Sequence, residues 1–310
     1  MNMKPIVVVG SINMDLVAHA ERIPRPGETI TGTDFQIHSG GKGANQAAAI
    51  GKLGYPCVLL GSVGDDVFGE KLLRTLSAYG VDTTHIRDVP GSSGTASIIV
   101  SSAAENCIVV TPGSNACVTP DYLAAHEHVI KTAGMVLLQL EIPIASVEWV
   151  IRCCAENRIP VMLDPAPACP LKTEVLKSVD WFTPNQTEAE FYAEMADSTD
   201  QILGRLFAMG VRNVILKRGA EGALIANANG GREWTSAFEV TAVDTTAAGD
   251  AFNGAFAVAL MRGLLQAECG RFAAAAAAIS VTRFGAQPSL ATEKEVADFL
   301  AVSVGSSQLT

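Results

Sequence analysis

The chain has 310 residues, of which 48% are hydrophobic and 17% charged, enough to bury a sizeable core as one large α/β domain. Its formal net charge of −10 argues against nucleic acid and anionic membrane surfaces as partners, while leaving room for a small anionic substrate in a locally positive pocket. No stretch approaches the roughly 18 continuous apolar residues of a membrane helix, and the seven scattered cysteines read as free thiols of a cytoplasmic protein rather than a disulfide set or a zinc site.

The first predicted strand is 6–9, a continuous apolar run ending at Gly10-Ser11. Unbroken hydrophobicity predicts burial on both faces, as in a parallel sheet. Residues 18–39 are poorly apolar and hold Pro24, Pro26, Gly27 and Gly32. Short strands around 29–31 and 35–37 predict a small flap. Gly40-Gly41-Lys42-Gly43-Ala44-Asn45-Gln46 then opens a helix that runs to about 53. A strand at 57–63 and a helix at 67–79 follow, and two β runs at 94–100 and 107–111 form a hairpin that could extend the flap. From Pro120 the rhythm becomes regular: helix to about 131, strand 135–140, helix 145–157, strand 160–164, helix 172–178, strand 181–183. Helices at 188–194 and 200–209 precede strand 213–217, and 224–226 and 232–235 look antiparallel. Helices at 250–263, 266–283 and 293–301 end the chain. Alternating β and α predicts a doubly wound, mostly parallel central sheet flanked by helices. No internal repeat or interdomain linker interrupts it. His126 and His128 would point apart on one helix.

Polar residues fall where these strands end: Asn13, Asp15, Gln139, Glu141, Asp164, Asn185 and Asp244. That edge of an open α/β sheet is where ligands bind, although Asp and Asn are also ordinary turn residues. The most informative stretch is Val243–Gly254, VDTTAAGDAFNG. Phe238, Val240 and Ala242 alternate before it like a strand, and Phe252, Phe256 and Leu260 recur after it like a helix face. The small residues between leave free N–H groups at a helix start, which with the helix dipole make an anion site. Asp250 beside it could merely favour the dipole. It could equally take the proton of an alcohol while the amides hold the charge of a transferring phosphate. In the 40–46 stretch the glycines permit close backbone approach to a ligand, with Lys42 and Asn45 as polar contacts, or form a plain turn. Asn185 and Glu188 are either a helix cap or neighbours of a water-bound Mg²⁺. Neither GxxxxGK[ST] nor GxGxxG occurs, which excludes a P-loop enzyme and disfavours a dinucleotide-binding oxidoreductase.

Seven segments in order, GSINMD at 10–15, GGKGANQ at 40–46, LQLE at 138–141, DPAPA at 164–168, TPNQTEAE at 183–190, VDTTAAGDAFNG at 243–254 and VTRFGAQPS at 281–289, resemble the ribokinase-like PfkB family of sugar and nucleoside kinases over nearly the whole length. The resemblance implies a single domain over 1–310 with a small β-sheet lid from about 14–39 and 94–112. It implies ATP-dependent phosphorylation of the 5-hydroxyl of D-ribose. Deoxyribose, another pentose or a nucleoside are alternatives, and a sugar-binding regulator without turnover is a rival from another class. Asp250 then matches the catalytic base and Ala247, Ala248 and Gly249 the anion hole. Asn13, Asp15, Gly41, Lys42, Gly43, Ala44, Asn45 and Glu141 match sugar contacts. Asn185, Lys217, Arg218, Gly219, Ala220, Glu221, Gly222 and Ala274 match the ATP site, which Gly249 and Asp250 adjoin. Asp244, Thr246, Ser280, Arg283, Gly285 and Ser289 match a K⁺ site, and Asn185 with Glu188 the Mg²⁺ region. A homodimer joined through the lid is implied as well. The chain departs from the family pattern at KRGAEG (217–222), where TLGxxG is frequent, at Ala274, and at Asp164, where Asn is usual.

Overall fold

The computed structural model describes residues 3–306 apart from Ala104 and Met195, so the ends of the expected 1–310 domain lie outside the described residues. A nine-stranded sheet forms the centre. Its spatial order is Arg232–Ser236, Gly222–Asn227, Asn213–Lys217, Trp181–Phe182, Val161–Leu163, Met135–Leu138, Ile6–Val9, Cys57–Leu60 and Val81–Asp82. The strands from 213–217 to 81–82 are all parallel, and the last two of the chain add as antiparallel neighbours. Side chains of the first strand separate by parity. Ile6 and Val8 join one core, with the Lys42–Lys52, Ala248–Met261 and Gln266–Ser280 helices. Val7 and Val9 join the other, with the Ile144–Asn157, Gln186–Tyr192 and Thr199–Ala208 helices. Because successive residues of a strand face opposite ways, a sheet covered on both sides needs unbroken apolar runs. The doubly wound α/β arrangement expected from the sequence is therefore present.

A second sheet of four strands has the order Gly32–Gly40, Asn13–Ala20, Gly94–Ser101 and Asn106–Thr111. Two antiparallel hairpin-like pairs meet at a parallel junction between 13–20 and 94–101. Asn13 and Asp15 therefore sit within this sheet and not at the edge of the main one. Residues 29–31 are not a strand; the 13–20 run supplies the partner instead.

Three further expectations are corrected. The 57–63 run divides at Gly61, and Ser62–Gly64 pairs with Arg87–Val89 in a separate two-stranded sheet. The alternating 238–242 stretch belongs to no sheet. Its Phe238 meets Phe299 edge-on, with ring centroids 5.1 Å apart, and Val240 and Ala242 line a cavity described below. Alternation there serves a pocket wall. The 120–131 helix breaks at His126, into Pro120–Ala125 and Glu127–Ile130. That break brings the His126 and His128 rings onto one side, 6.3 Å apart between centroids, with His85 within 6.0 Å of both.

Phe256 ties one core to the sheet. Its ring is fully buried and meets Trp181 edge-on at 5.1 Å between centroids. Phe256→Ala should cost about 3–5 kcal/mol, through lost apolar burial and the cavity left behind. Urea unfolding followed by circular dichroism will read this as a lower midpoint, and a loss under about 1 kcal/mol would contradict the packing described.

Candidate active site

Asp250 lies in the first turn of the Ala248–Met261 helix and is 5% exposed. The preceding residue at the helix start, Ala247, adopts φ 61°, in the left-handed region that a residue with a Cβ rarely enters. This kink turns the chain abruptly into the helix, whose Gly249 and Asp250 amides, in the first turn, have no partner within the helix. Two side chains from the 42–52 helix hold that carboxylate. Asn45 Nδ2 donates to Oδ2 at 3.0 Å, and Gln46 Nε2 donates to Oδ1 at 3.1 Å. Burial pushes the Asp250 carboxyl up to about 6. The nearby Lys42 ammonium opposes this, the Asp164 carboxylate adds to it, and the Asn45 and Gln46 hydrogen bonds oppose it.

The start of the 42–52 helix comes within van der Waals limits of the first strand's end. A Cβ on Gly43 would stand 2.6 Å from Gly10 C and Ser11 N, so only glycine allows this approach. Ala44 N–H donates to Ser11 O at 2.8 Å. Glu141 Oε2 collects Ser11 Oγ–H at 2.5 Å and Lys42 N–H at 3.0 Å. Asn13 accepts from Asn115 Nδ2 at 2.6 Å, and Asn115 in turn accepts from Ile12 N–H. Asp15 is 9% exposed. Burial, with the Glu141 and then the Asp250 carboxylate adding to it, pushes its carboxyl up to about 7. Asn13, Asp15, Gly41 to Asn45, Glu141 and Asp250 thus lie in one neighbourhood. Asn45 Oδ1 is buried with no hydrogen-bond partner among the described residues. An orphaned buried acceptor suits a ligand hydroxyl.

Beside the start of the 248–261 helix, at Ala248, Gly249 and Phe252, lies a cavity of about 460 Å³. Lys217, Gly219, Ala220, Gly222, Gly249 and Ala274 line it, whereas Asn185 and Asp250 of the residues matched to an ATP site do not. Phe238, Val240 and Val281 give it apolar walls that the sequence had suggested as a strand and a helix end. Arg218 and Glu221 do not line it; they pair with each other at 3.1 Å, and Arg218 also donates to Thr199 Oγ1. Asn185 and Glu188 form a reciprocal capping box. Asn185 N–H donates to Glu188 Oε2 at 2.8 Å, and Glu188 N–H donates to Asn185 Oδ1 at 2.9 Å. The helix-cap reading of this pair is therefore real. Burial, then the Asp164 carboxylate, raise the Glu188 carboxyl above its ordinary value.

Asp244 does not follow a strand. Its Oδ1 accepts from Thr246 N–H and Oγ1–H, and its Oδ2 accepts from Gly285 N–H at 2.9 Å. Although burial raises it, these hydrogen bonds, those of Thr246 first, hold it below the usual carboxylate range. Ser280 and Ser289 are fully buried nearby in the chain, whereas the Arg283 guanidinium turns away to Glu295 at 2.6 Å.

Gln46 and Gln139 were part of the motifs but had been given no role. Gln139 Nε2 donates to Gln46 Oε1 at 2.6 Å and so fixes which end of Gln46 faces Asp250. Asp164 accepts from Gln46 Nε2 at 3.0 Å and from Lys217 Nζ at 3.1 Å. Burial alone would lower the Lys42 ammonium, but the carboxylates of Asp250, Asp164, Glu141 and Glu188 outweigh it and keep Lys42 charged.

The family model described as pfkB family carbohydrate kinase matches residues 3–293. A ribokinase of Bacillus subtilis is 41% identical over 303 residues, covering 96% of this chain and all of the relative (100%). A ribokinase of Haemophilus influenzae is 39% identical, covering 96% of this chain and 98% of the relative. The structure of Arabidopsis thaliana ribokinase complexed with ribose and ATP superposes with a TM-score of 0.90 at 36% identity, covering 96% of this chain and 98% of that one. The chain belongs to the PfkB family of carbohydrate kinases.

Proposed function

We infer that this protein transfers the γ-phosphoryl group of ATP to the 5-hydroxyl of D-ribose, giving ribose 5-phosphate and ADP. One observation carries the reading: a buried carboxylate, held by two amide side chains of a polar cup, directly follows Gly249, which lines an apolar-walled cavity. Its similarity to ribokinases supports ribose as the sugar. Ribose would sit in the cup, its hydroxyls meeting Asp15, Asn13, Lys42 and Asn45, with Glu141 bracing the 40–46 backbone. ATP would enter the cavity with its base against the apolar wall and its phosphates toward Gly249. Asp250 accepts the proton as the 5-oxygen attacks phosphorus. The Gly249 and Asp250 amides bind the charge that gathers on the equatorial oxygens.

Five carboxylates (Asp15, Glu141, Asp164, Glu188 and Asp250) surround the ammonium groups of Lys42 and Lys217. A triphosphate enters such a neighbourhood more readily with a divalent cation. Glu188 and Asn185, an oxygen-bearing pair beside the phosphate path, fit Mg²⁺ held through waters, and the ion would neutralise phosphate charge. Asp244 with the hydroxyls and carbonyls of Thr246, Ser280, Gly285 and Ser289 is a hard-oxygen donor set that suits K⁺. Such an ion would stiffen the turn that carries the anion-hole amides. Among the described residues no helix is long and apolar enough to cross a membrane. All seven cysteines are free, which supports a cytoplasmic setting.

The four-stranded sheet would close over the sugar as a lid. It exposes Phe35, Ile37, Ile108, Val109 and Val110. By register, Ile108 and Val110 share the Asp15 face of the sheet, while Phe35 and Val109 lie on the opposite face. Both edge strands lack further partners among the described residues, a situation that favours pairing with another chain. A second copy of this chain is the proposed partner, making a homodimer.

Coupled-assay kinetics over ribose, 2-deoxyribose, other pentoses and nucleosides will test the assignment. Ribose should give the highest kcat/KM, and equal values for ribose and 2-deoxyribose would remove it. Asp250→Asn should lower kcat about 10²- to 10⁴-fold while calorimetry still detects ribose binding. Protonated Asp250 cannot accept a proton, so kcat/KM should fall as pH drops through about 6, after an earlier decline near 7 from Asp15. The residual activity of Asp250→Asn should lose the decline near 6, and the Asp15 decline should move below 7 because the Asp250 carboxylate that helps raise it is gone. Rates should be higher in K⁺ than in a bulky organic cation at equal ionic strength, and Asp244→Ala should abolish most of that difference; a flat KCl curve for the unmutated protein removes the K⁺ site. Light scattering should give twice the 32.4 kDa chain mass, and Ile108→Lys with Val110→Lys should give monomer. A monomeric unmutated protein at micromolar concentration would overturn the dimer.

A further inference from the structure

The two departures from the family pattern at Asp164 and Lys217 are halves of one ion pair. Lys217 ends the 213–217 strand and Asp164 follows the 161–163 strand, with the 181–182 strand between them. Lys217 Nζ lies 3.1 Å from Asp164 Oδ1, and the side chains are only 14% and 3% exposed. A buried pair is a poor stabilising device, since desolvation consumes much of the attraction. Its position is more informative. Lys217 lines the nucleotide cavity, and its Nζ stands 3.4 Å from where a Cβ on Gly249 would be, over the first turn that carries the free amides. An ammonium has three donors and Asp164 takes one.

The other oxygen of Asp164 faces the opposite way. It accepts from Gln46 Nε2 at 3.0 Å, and the same nitrogen donates to Asp250 Oδ1 at 3.1 Å. The two hydrogens of that amide therefore serve two carboxylates. Gln139 holds the Gln46 carbonyl at 2.6 Å and prevents the amide from turning over. Lys217, Asp164, Gln46 and Asp250 make a continuous chain of side chains. It runs from the phosphate end of the nucleotide cavity to the carboxylate that faces the sugar.

We propose that Lys217 is a further catalytic residue, binding the transferring phosphoryl group, and that Asp164 is a positioning residue that sets both Lys217 and, through Gln46, Asp250. This rests on the kinase reading above. The 5-oxygen of the sugar forms its bond to the γ-phosphorus as the bond from that phosphorus to the β–γ bridging oxygen breaks. The electron pair leaves with ADP, and the alcohol proton goes to Asp250. Lys217 opposes the negative charge on the oxygens in flight. In this chain a fixed cation thus stands where the family's usual loop has a hydroxyl, and Asp164 supplies the counter-charge that keeps it in place between turnovers.

The test is a double-variant cycle in the full chain: Lys217→Met, Lys217→Arg, Asp164→Asn, Lys217→Thr, and Asp164→Asn combined with Lys217→Thr. Steady-state kinetics are accompanied by calorimetry with ribose and with Mg²⁺–AMP-PNP, and by thermal melting. Lys217→Met should lower kcat about 10²-fold with ribose affinity within twofold, and Lys217→Arg should recover at least a third of that loss on a logarithmic scale. Asp164→Asn alone should be slower than the combined variant, because removing both charges leaves no unpartnered ammonium. Effects that simply multiply, or a Lys217→Met kcat within twofold of the unmutated value, would overturn the proposal. So would variants whose kcat tracks melting temperature alone. If the unmutated protein released no ADP with any sugar, the kinase reading would fail. The pair would then be judged on AMP-PNP alone: affinity lost in Lys217→Met and kept in Lys217→Arg supports phosphate binding by Lys217, and equal affinity in both overturns it.

Discussion

The close approach of two helices underlies everything else in this molecule. Asn45 and Gln46 can hold Asp250 only because the 42–52 and 248–261 helices meet through small residues. Ala48, Ala49, Ala251 and Ala255 are all buried in the same core. A Cβ on Gly254 would stand 2.8 Å from Ala49 Cβ. A larger side chain at this seam would part the helices, and hydrogen bonds of 3.0 and 3.1 Å would lengthen beyond use. The geometry of the reacting groups is therefore set by backbone packing between rigid elements rather than by a mobile loop.

Burying so many ionisable groups in one place is costly, and the molecule offsets the cost locally. Asp250 keeps two amide donors and a helix start, Glu141 keeps a hydroxyl and a backbone amide, and Asp164 keeps an ammonium and an amide. What remains unbalanced has chemical use. Asp250 is a better proton acceptor at about 6 than an exposed aspartate would be. The orphaned Asn45 Oδ1 is a place for a donor from outside the chain. Ala247 stores strain of about 1–2 kcal/mol in its left-handed backbone, a cost consistent with a turn that must aim amides rather than merely connect elements.

The two sides of this centre differ in character for a physical reason. A sugar presents hydroxyls all round, and the cup toward the second sheet is polar. A nucleotide base presents a broad apolar face, and the wall formed by Phe238, Val240, Ala274 and Val281 is apolar with small residues at its floor. In the proposed function the phosphates would join the two ligands at Gly249, over which the Lys217 ammonium stands.

Much of this could be read from the chain before folding was considered. Uninterrupted runs such as Ile6–Val9 determine a sheet covered on both faces, because no other arrangement hides both sets of side chains. The spacing of Phe252, Phe256 and Leu260 determines a helix whose start is Asp250's location, and the glycines at 40–43 determine a backbone that something approaches closely. Local pattern could not decide what distant segments offer one another. Residues 238–242 alternate like a strand, but they join no sheet and Phe238, Val240 and Ala242 line a cavity instead. His126 and His128 come together because the helix breaks between them and the preceding turn. Asp164 and Lys217 lie 53 residues apart, and each alone reads as an isolated departure. Only the parallel sheet, by ending its strands along one edge, sets the two charges 3.1 Å apart and links them through Gln46 to Asp250.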